Sequence, residues 1–165
     1  MNEESLIRQR ILIVDDEPAN IKVLGEMLMH DYQISFAGSG EEAISLASST
    51  APDIILLDIL MNGMDGYEVI KVLKKKEKTR NIPVIFITAK NSEEDEAQGF
   101  ELGAVDYITK PFSISIVQAR VKTHLELKKN QDFLEWLLRE RTQELENAHK
   151  EYTNLFIRGE SLKKD

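Results

Sequence analysis

Five short apolar runs recur along the chain, and a segment of helical periodicity lies between each pair. The strand-like runs are Ile11–Val14, Gln33–Ala37, Ile54–Leu57, Val84–Thr88 and Asp106–Ile108. The helical patterns are Ala19–Met29, Glu41–Ala47, Tyr67–Lys75 and Glu93–Leu102. Alternation of this kind buries its apolar faces as a parallel sheet covered on both sides by helices, so the spacing predicts an α/β fold. Ile54-Ile-Leu-Leu57 has no polar alternation, as expected of a strand buried on both faces. Start signals agree: Pro18 suits a first helical position, Ser39 with Glu42 reads as a capping box, and Ser92 can cap the fourth helix.

The chain has 165 residues, of which 42% are hydrophobic and 30% charged, enough for one ordinary domain with a segment appended. No apolar run approaches the roughly 20 residues needed to cross a bilayer, and MNEESLIRQR has no signal-peptide core, so no membrane association is expected. The chain lacks cysteine, which excludes disulfides, thiolate metal sites and a cysteine nucleophile and is in keeping with a cytoplasmic location. A net charge of −8 argues against a nucleic-acid partner. The basic stretch from Lys71 to Arg80 reads instead as a solvated helix end near the negative pole of its dipole.

In open parallel sheets, ligands bind outside the carboxyl ends of the strands, where the strand order reverses. Here the first strand ends in Asp15-Asp16-Glu17 and the third in Asp58, while the fourth ends in Thr88-Ala89 and the fifth in Thr109-Lys110-Pro111. Acids so gathered repel one another and favour a bound cation. Oxygen donors suit Mg²⁺, which keeps several waters and takes one or two carboxylates plus a phosphate, and the lack of Cys or His there argues against zinc. His30, His124 and His149 lie in helical patterns away from the cluster. Lys110 can cancel the charge of a phosphoryl group on Asp58, the Thr88 hydroxyl can donate to it, and carboxylates do serve as covalent phosphoryl acceptors.

Five motifs carry a likeness to a known family: Ile11-Leu-Ile-Val-Asp-Asp-Glu17, Leu57-Asp58, Met61 with Met64-Asp65-Gly66, Thr88-Ala89, and Lys110-Pro111-Phe112. Over residues 8–125 the chain resembles the receiver domains of two-component response regulators. That resemblance implies a flavodoxin-like, doubly wound five-stranded parallel sheet of order 2-1-3-4-5. It makes Asp58 the phosphoacceptor, Asp16 a direct Mg²⁺ ligand, Asp15 a ligand acting mostly through water, and the backbone carbonyl of Leu60 a third ligand. It makes Thr88 and Tyr107 the pair that reports phosphorylation and Lys110 the phosphate-binding lysine, joined to Pro111 by a cis peptide bond. The implied partner is a histidine kinase or phosphotransfer protein. One departure stands out: Asn62 occupies a loop position where such domains usually carry proline.

From Ser113 no strand or turn signal appears for more than 40 residues, and a continuous helix of that length would measure about 65 Å. Counted from Leu127 in alternating steps of four and three, the seam positions (a and d of a heptad) are Leu127, Gln131, Leu134, Leu138, Arg141, Leu145, Ala148, Tyr152 and Leu155, mostly apolar, which predicts a dimerising coiled coil. Glu135–Arg139 and Glu146–Lys150 are spaced to pair outside the seam. Around Phe133–Leu138 the apolar face is wider than a two-stranded seam needs, which suits a larger bundle or contact with a further domain. The expected organisation is a receiver domain over 8–125, a coiled-coil linker over 126–158 and flexible termini at 1–7 and 159–165, in a chain cut from a longer protein that carries an output domain. Two other functions compete: a small-molecule phosphatase or phosphotransferase working through an aspartyl-phosphate, and a non-phosphorylated dimerisation scaffold. The first needs a proton-transferring acid two residues after the nucleophile, where Leu60 stands; the complete set of site residues weighs against the second. Apart from its own phosphorylation and dephosphorylation, the chain is expected to be no enzyme.

Overall fold

In a computed structural model describing residues 8–161, strands and helices alternate as the sequence predicts. In chain order they are β1 (Arg10–Val14), α1 (Pro18–Leu28), β2 (Gln33–Ala37), α2 (Gly40–Thr50), β3 (Ile54–Leu57), α3 (Gly66–Lys75), β4 (Val84–Thr88), α4 (Glu93–Glu101), β5 (Asp106–Thr109) and α5 (Ile114–Ser161). The five strands form one parallel sheet of order β2-β1-β3-β4-β5. Of the flexible termini expected at 1–7 and 159–165, residues 1–7 and 162–165 lie outside the described residues, whereas residues 159–161 continue α5, because no turn signal ends the helix before them.

Successive strand residues point to opposite faces, and the two faces collect different helices. Leu12, Val14, Ile55, Leu57 and Phe86 pack with Ala43 and Ala47 of α2 and with Val69, Ile70 and Leu73 of α3. Ile11, Ile13, Ile54, Leu56 and Ile85 pack with Leu24 and Leu28 of α1 and with Val117, Val121 and Leu125 of α5. The central strands therefore show unbroken apolar runs because neither face meets water. Since β1 has β2 on one side and β3 on the other, the order reverses between β1 and β3.

Helix starts follow local chemistry, with one correction. Pro18 opens α1, and Ser92 Oγ accepts the Asp95 N–H at 3.1 Å. Ser39 Oγ accepts the Glu42 N–H at 3.2 Å, but the Glu42 carboxylate takes the N–H of Gly38 at 2.8 Å, so the reciprocal box expected there is only half formed. The full capping box sits at α3: Asp65 accepts the Glu68 N–H at 2.8 Å and Glu68 accepts the Asp65 N–H at 2.9 Å.

The chain divides into two units after Glu126. In the second, ion pairs join Lys128 to Asp132 and Arg141 to Glu144. The expected Glu135–Arg139 and Glu146–Lys150 pairs do not form; Glu135 instead accepts from Gln131 Nε2 at 3.1 Å, as solvated side chains on one helix face have several partners within reach. Phe133 and Trp136 stack at 5.9 Å, and Leu134, Leu138, Leu145, Tyr152 and Leu155 are all exposed.

Candidate functional site

The tips of β1 and β3 meet at the point of reversal. There the backbone of each acid is fixed before its side chain does anything: Asp58 N–H donates to the Val14 carbonyl at 2.9 Å, and Asp15 N–H donates to that of Ala37 at 3.2 Å. Asp15 and Asp58 are buried, at 2% and 6% exposure, and Asp16 is half-buried. One carboxylate oxygen from each of the three lies within 4.8 Å of the others. So close a group of like charges in a dry setting needs compensation.

Lys110 supplies part of it. From the end of β5 its Nζ donates to Asp15 Oδ2 at 2.8 Å and to Asp58 Oδ2 at 3.2 Å. Its own N–H is tied to the Thr88 carbonyl at 2.8 Å, and the Lys110–Pro111 peptide is cis. Burial is the largest influence on this ammonium and lowers its pKa. The bond to Asp15 and the charges of Asp58 and Asp15 outweigh it, so the pKa stands above the ordinary 10.5. Three carboxylates against one ammonium still leave negative charge in excess. All the donors are hard oxygens, so the residues fit a magnesium-type cation and not a thiophilic one.

Further groups orient the acids, and sequence reasoning missed them. Asn20, in the first turn of α1, donates to Asp15 Oδ2 at 3.1 Å and to Glu17 Oε2 at 3.0 Å, while the Glu17 N–H donates to Asp15 Oδ1 at 2.9 Å. The Leu60 N–H donates to Asp58 Oδ1 at 3.2 Å, and that of Asn62 to Asp16 Oδ2 at 2.8 Å. Backbone donors leave no trace in residue type, which is why the sequence did not show them; the proximity of Asn20 to Asp15 was a usable signal. The β3–α3 loop reaches this position because Gly66 lets α3 start against β3: a Cβ there would stand 2.4 Å from the Asp58 carbonyl oxygen. Beside the acids opens a cavity of about 510 Å³ whose lining includes Asp16, Leu60, Asn62, Asp65 and Lys90.

Thr88 and Tyr107 lie on the adjoining strands. Thr88 is fully buried, and its Oγ1 accepts the Lys90 N–H at 3.4 Å. Tyr107 is buried with its hydroxyl donating to the Lys90 carbonyl at 3.1 Å, and its ring meets Phe86 edge-on at 6.0 Å. Phe86 in turn meets Tyr67 edge-on at 5.7 Å, and Lys90 Nζ lies 5.2 Å from the Tyr67 ring centre while pairing with Asp95 at 2.8 Å. Burial, above all, pushes the Tyr107 phenol well above its usual range. His124 stands apart from the acids, paired with Asp106 at 2.9 Å.

A doubly wound sheet with three acids and a lysine at its point of reversal defines a phosphoryl-accepting signalling domain as a class. The model of the response regulator receiver domain matches residues 11–122, and the chain belongs to that family. It is 48% identical over 134 residues to a probable cyclic di-GMP phosphodiesterase of Vibrio cholerae, covering 81% of this chain and 30% of that protein. It is 45% identical over 115 residues to the response regulator PleD of Caulobacter vibrioides, covering 69% of this chain and 25% of PleD. Thus it spans less than a third of the length of these relatives. Among solved structures, the receiver domain of a signal transduction histidine kinase from Syntrophus aciditrophicus aligns with a TM-score of 0.66 at 38% identity, over 72% of this chain and 90% of that one. Among the described residues, no helix is long and apolar enough to cross a membrane.

Proposed function

We propose that this receiver domain takes a phosphoryl group onto Asp58 from the phosphohistidine of a histidine kinase or phosphotransfer protein. The observation that carries the reading is the single Lys110 ammonium bridging Asp15 and Asp58 within the acidic trio. An Asp58 carboxylate oxygen supplies the electron pair to phosphorus while the phosphorus–nitrogen bond of the donor breaks and its pair leaves with the imidazole. Lys110 holds Asp58 in place and follows the growing charge on the phosphoryl oxygens. Asp15, Asp16, Asp58 and the Leu60 carbonyl would hold Mg²⁺. When bound, that ion would supply positive charge against the phosphoryl oxygens and a template for their orientation.

Thr88 and Tyr107 turn the event into a change of surface. The Thr88 hydroxyl donates to the phosphoryl group, and the Tyr107 ring then occupies the position beside Phe86 and Gly99 in which it is buried here. Differential contacts of this sort are what any two-state switch requires. The message passes to α5, whose exposed apolar residues from Leu127 onward form the seam of a homodimer. The response concerns cyclic di-GMP, a reading supported by the name of the Vibrio relative. Acetyl phosphate with Mg²⁺ should label the wild-type chain with acid-labile phosphate at one site, and Asp58→Asn should abolish the label; undiminished labelling of that variant would falsify Asp58 as the acceptor.

A further inference from the structure

We infer that the backbone N–H of Asn62 is a positioning group for cation binding, holding the Asp16 carboxylate beside Asp15 and Asp58. This inference rests on the reading of the acidic trio as a cation site. The three acids are not held alike. Asp15 accepts from Lys110, Asn20 and the Glu17 N–H, and Asp58 accepts from Lys110 and the Leu60 N–H. Among the described residues, the only hydrogen bond to the Asp16 side chain is that from the Asn62 N–H, at 2.8 Å. Asp16 is also the most exposed of the three, so repulsion from its neighbours favours a swing toward water. A bond from a fixed N–H to a carboxylate is among the stronger hydrogen bonds and opposes that swing.

The donor is well supported. Its loop is pinned on both sides of Asn62, where the N–H groups of Met61 and Gly66 both donate to the Ile59 carbonyl, at 3.1 and 3.0 Å. The Asn62 side chain itself is exposed. The chemistry therefore belongs to the peptide group: any residue but proline can supply it, because proline has no N–H. A residue other than proline at this loop position gives the chain a tie between the loop bearing the Leu60 carbonyl and the acid from β1, which brings ligands of both segments together before the cation arrives.

Magnesium titrations by isothermal calorimetry on the full 165-residue chain test this. Asn62→Ala, which keeps the N–H, should bind within about twofold of wild type, whereas Asn62→Pro should bind roughly tenfold more weakly, the loss expected of one hydrogen bond to a charged group. In metal-free samples the Asn62 amide resonance should move on Asp16→Ala substitution. Folded Asn62→Pro binding as tightly as wild type overturns the inference, as does Asn62→Ala weakened to the same degree. If the proline variant does not fold, the amide resonance decides, and an unmoved Asn62 signal is fatal. Separately, a wild-type chain that takes up no Mg²⁺, or an Asp16→Ala variant that binds as well as wild type, overturns the site reading itself.

Discussion

Lys110 governs the electrostatics of the site. Its folded-state pKa is raised above 10.5 by Asp15 and Asp58 in spite of burial. The stabilisation linked to that shift is therefore complete below about pH 10.5 and is lost as pH rises through the higher folded value. Lys110→Met should destabilise the domain by about 2–3 kcal/mol, since it leaves buried carboxylates without their partner. The gap between wild type and variant should stay level from about pH 6 to 9 and narrow only above about 10.5, as read by urea denaturation along a pH series. Gly66 makes a second prediction, steric in origin. With a Cβ 2.4 Å from backbone oxygen, Gly66→Ala must displace either the loop or the helix, and should cost more than about 2 kcal/mol. At this scale the acids and the lysine were legible, because strand ends carry ligands in such sheets. Asn20 and the loop amides were not, because nothing about a peptide N–H is written in its residue type.

Among the elements, α4 is the most informative. A glycine inside a helix normally costs about 0.5–1 kcal/mol relative to alanine, so Gly99 calls for a reason. A Cβ there would lie 3.1 Å from Tyr107 Cδ2 and 3.2 Å from Phe86 Cδ2. Phe86 is fully enclosed by the core, which leaves Tyr107 as the ring that must give way. Gly99→Ala should therefore shift Tyr107 toward solvent, a change that ¹⁹F resonances of fluorotyrosine at position 107 would register. Overpacking should also offset the helix-propensity gain, giving net destabilisation of about 1 kcal/mol. An unshifted resonance with higher stability would show that the pocket accommodates the methyl group. The strands were readable as elements because both faces are buried, so their apolar runs are continuous. The capping boxes were harder to place: Ser39-x-x-Glu42 and Asp65-x-x-Glu68 look equally suitable on paper, and only the position of the Gly38 N–H decides that Glu42 bonds elsewhere.

For the molecule as a whole, the exposed apolar residues past Leu127 call for a covering surface. Leu138 and Leu145 are 70% and 71% exposed, and such residues at a and d spacing are expected to find a second helix. Sedimentation equilibrium should show a concentration-dependent dimer that Leu134→Asp with Leu138→Asp converts to monomer; a wild-type monomer at high concentration would remove the coiled-coil reading. The sequence alone determined the succession of strands and helices, the parallel sheet and the identity of the acids at its carboxyl edge. Each of these follows from periodicity and from the chain direction a parallel sheet imposes. The tertiary structure alone decided which nitrogen faces which oxygen: that Lys110 bridges Asp15 and Asp58, that Asp16 accepts from the Asn62 amide, and that Tyr107 lies buried against Gly99. Hydrogen bonds are made over a few tenths of an ångström between groups far apart in the chain, and residue order carries no distances of that kind.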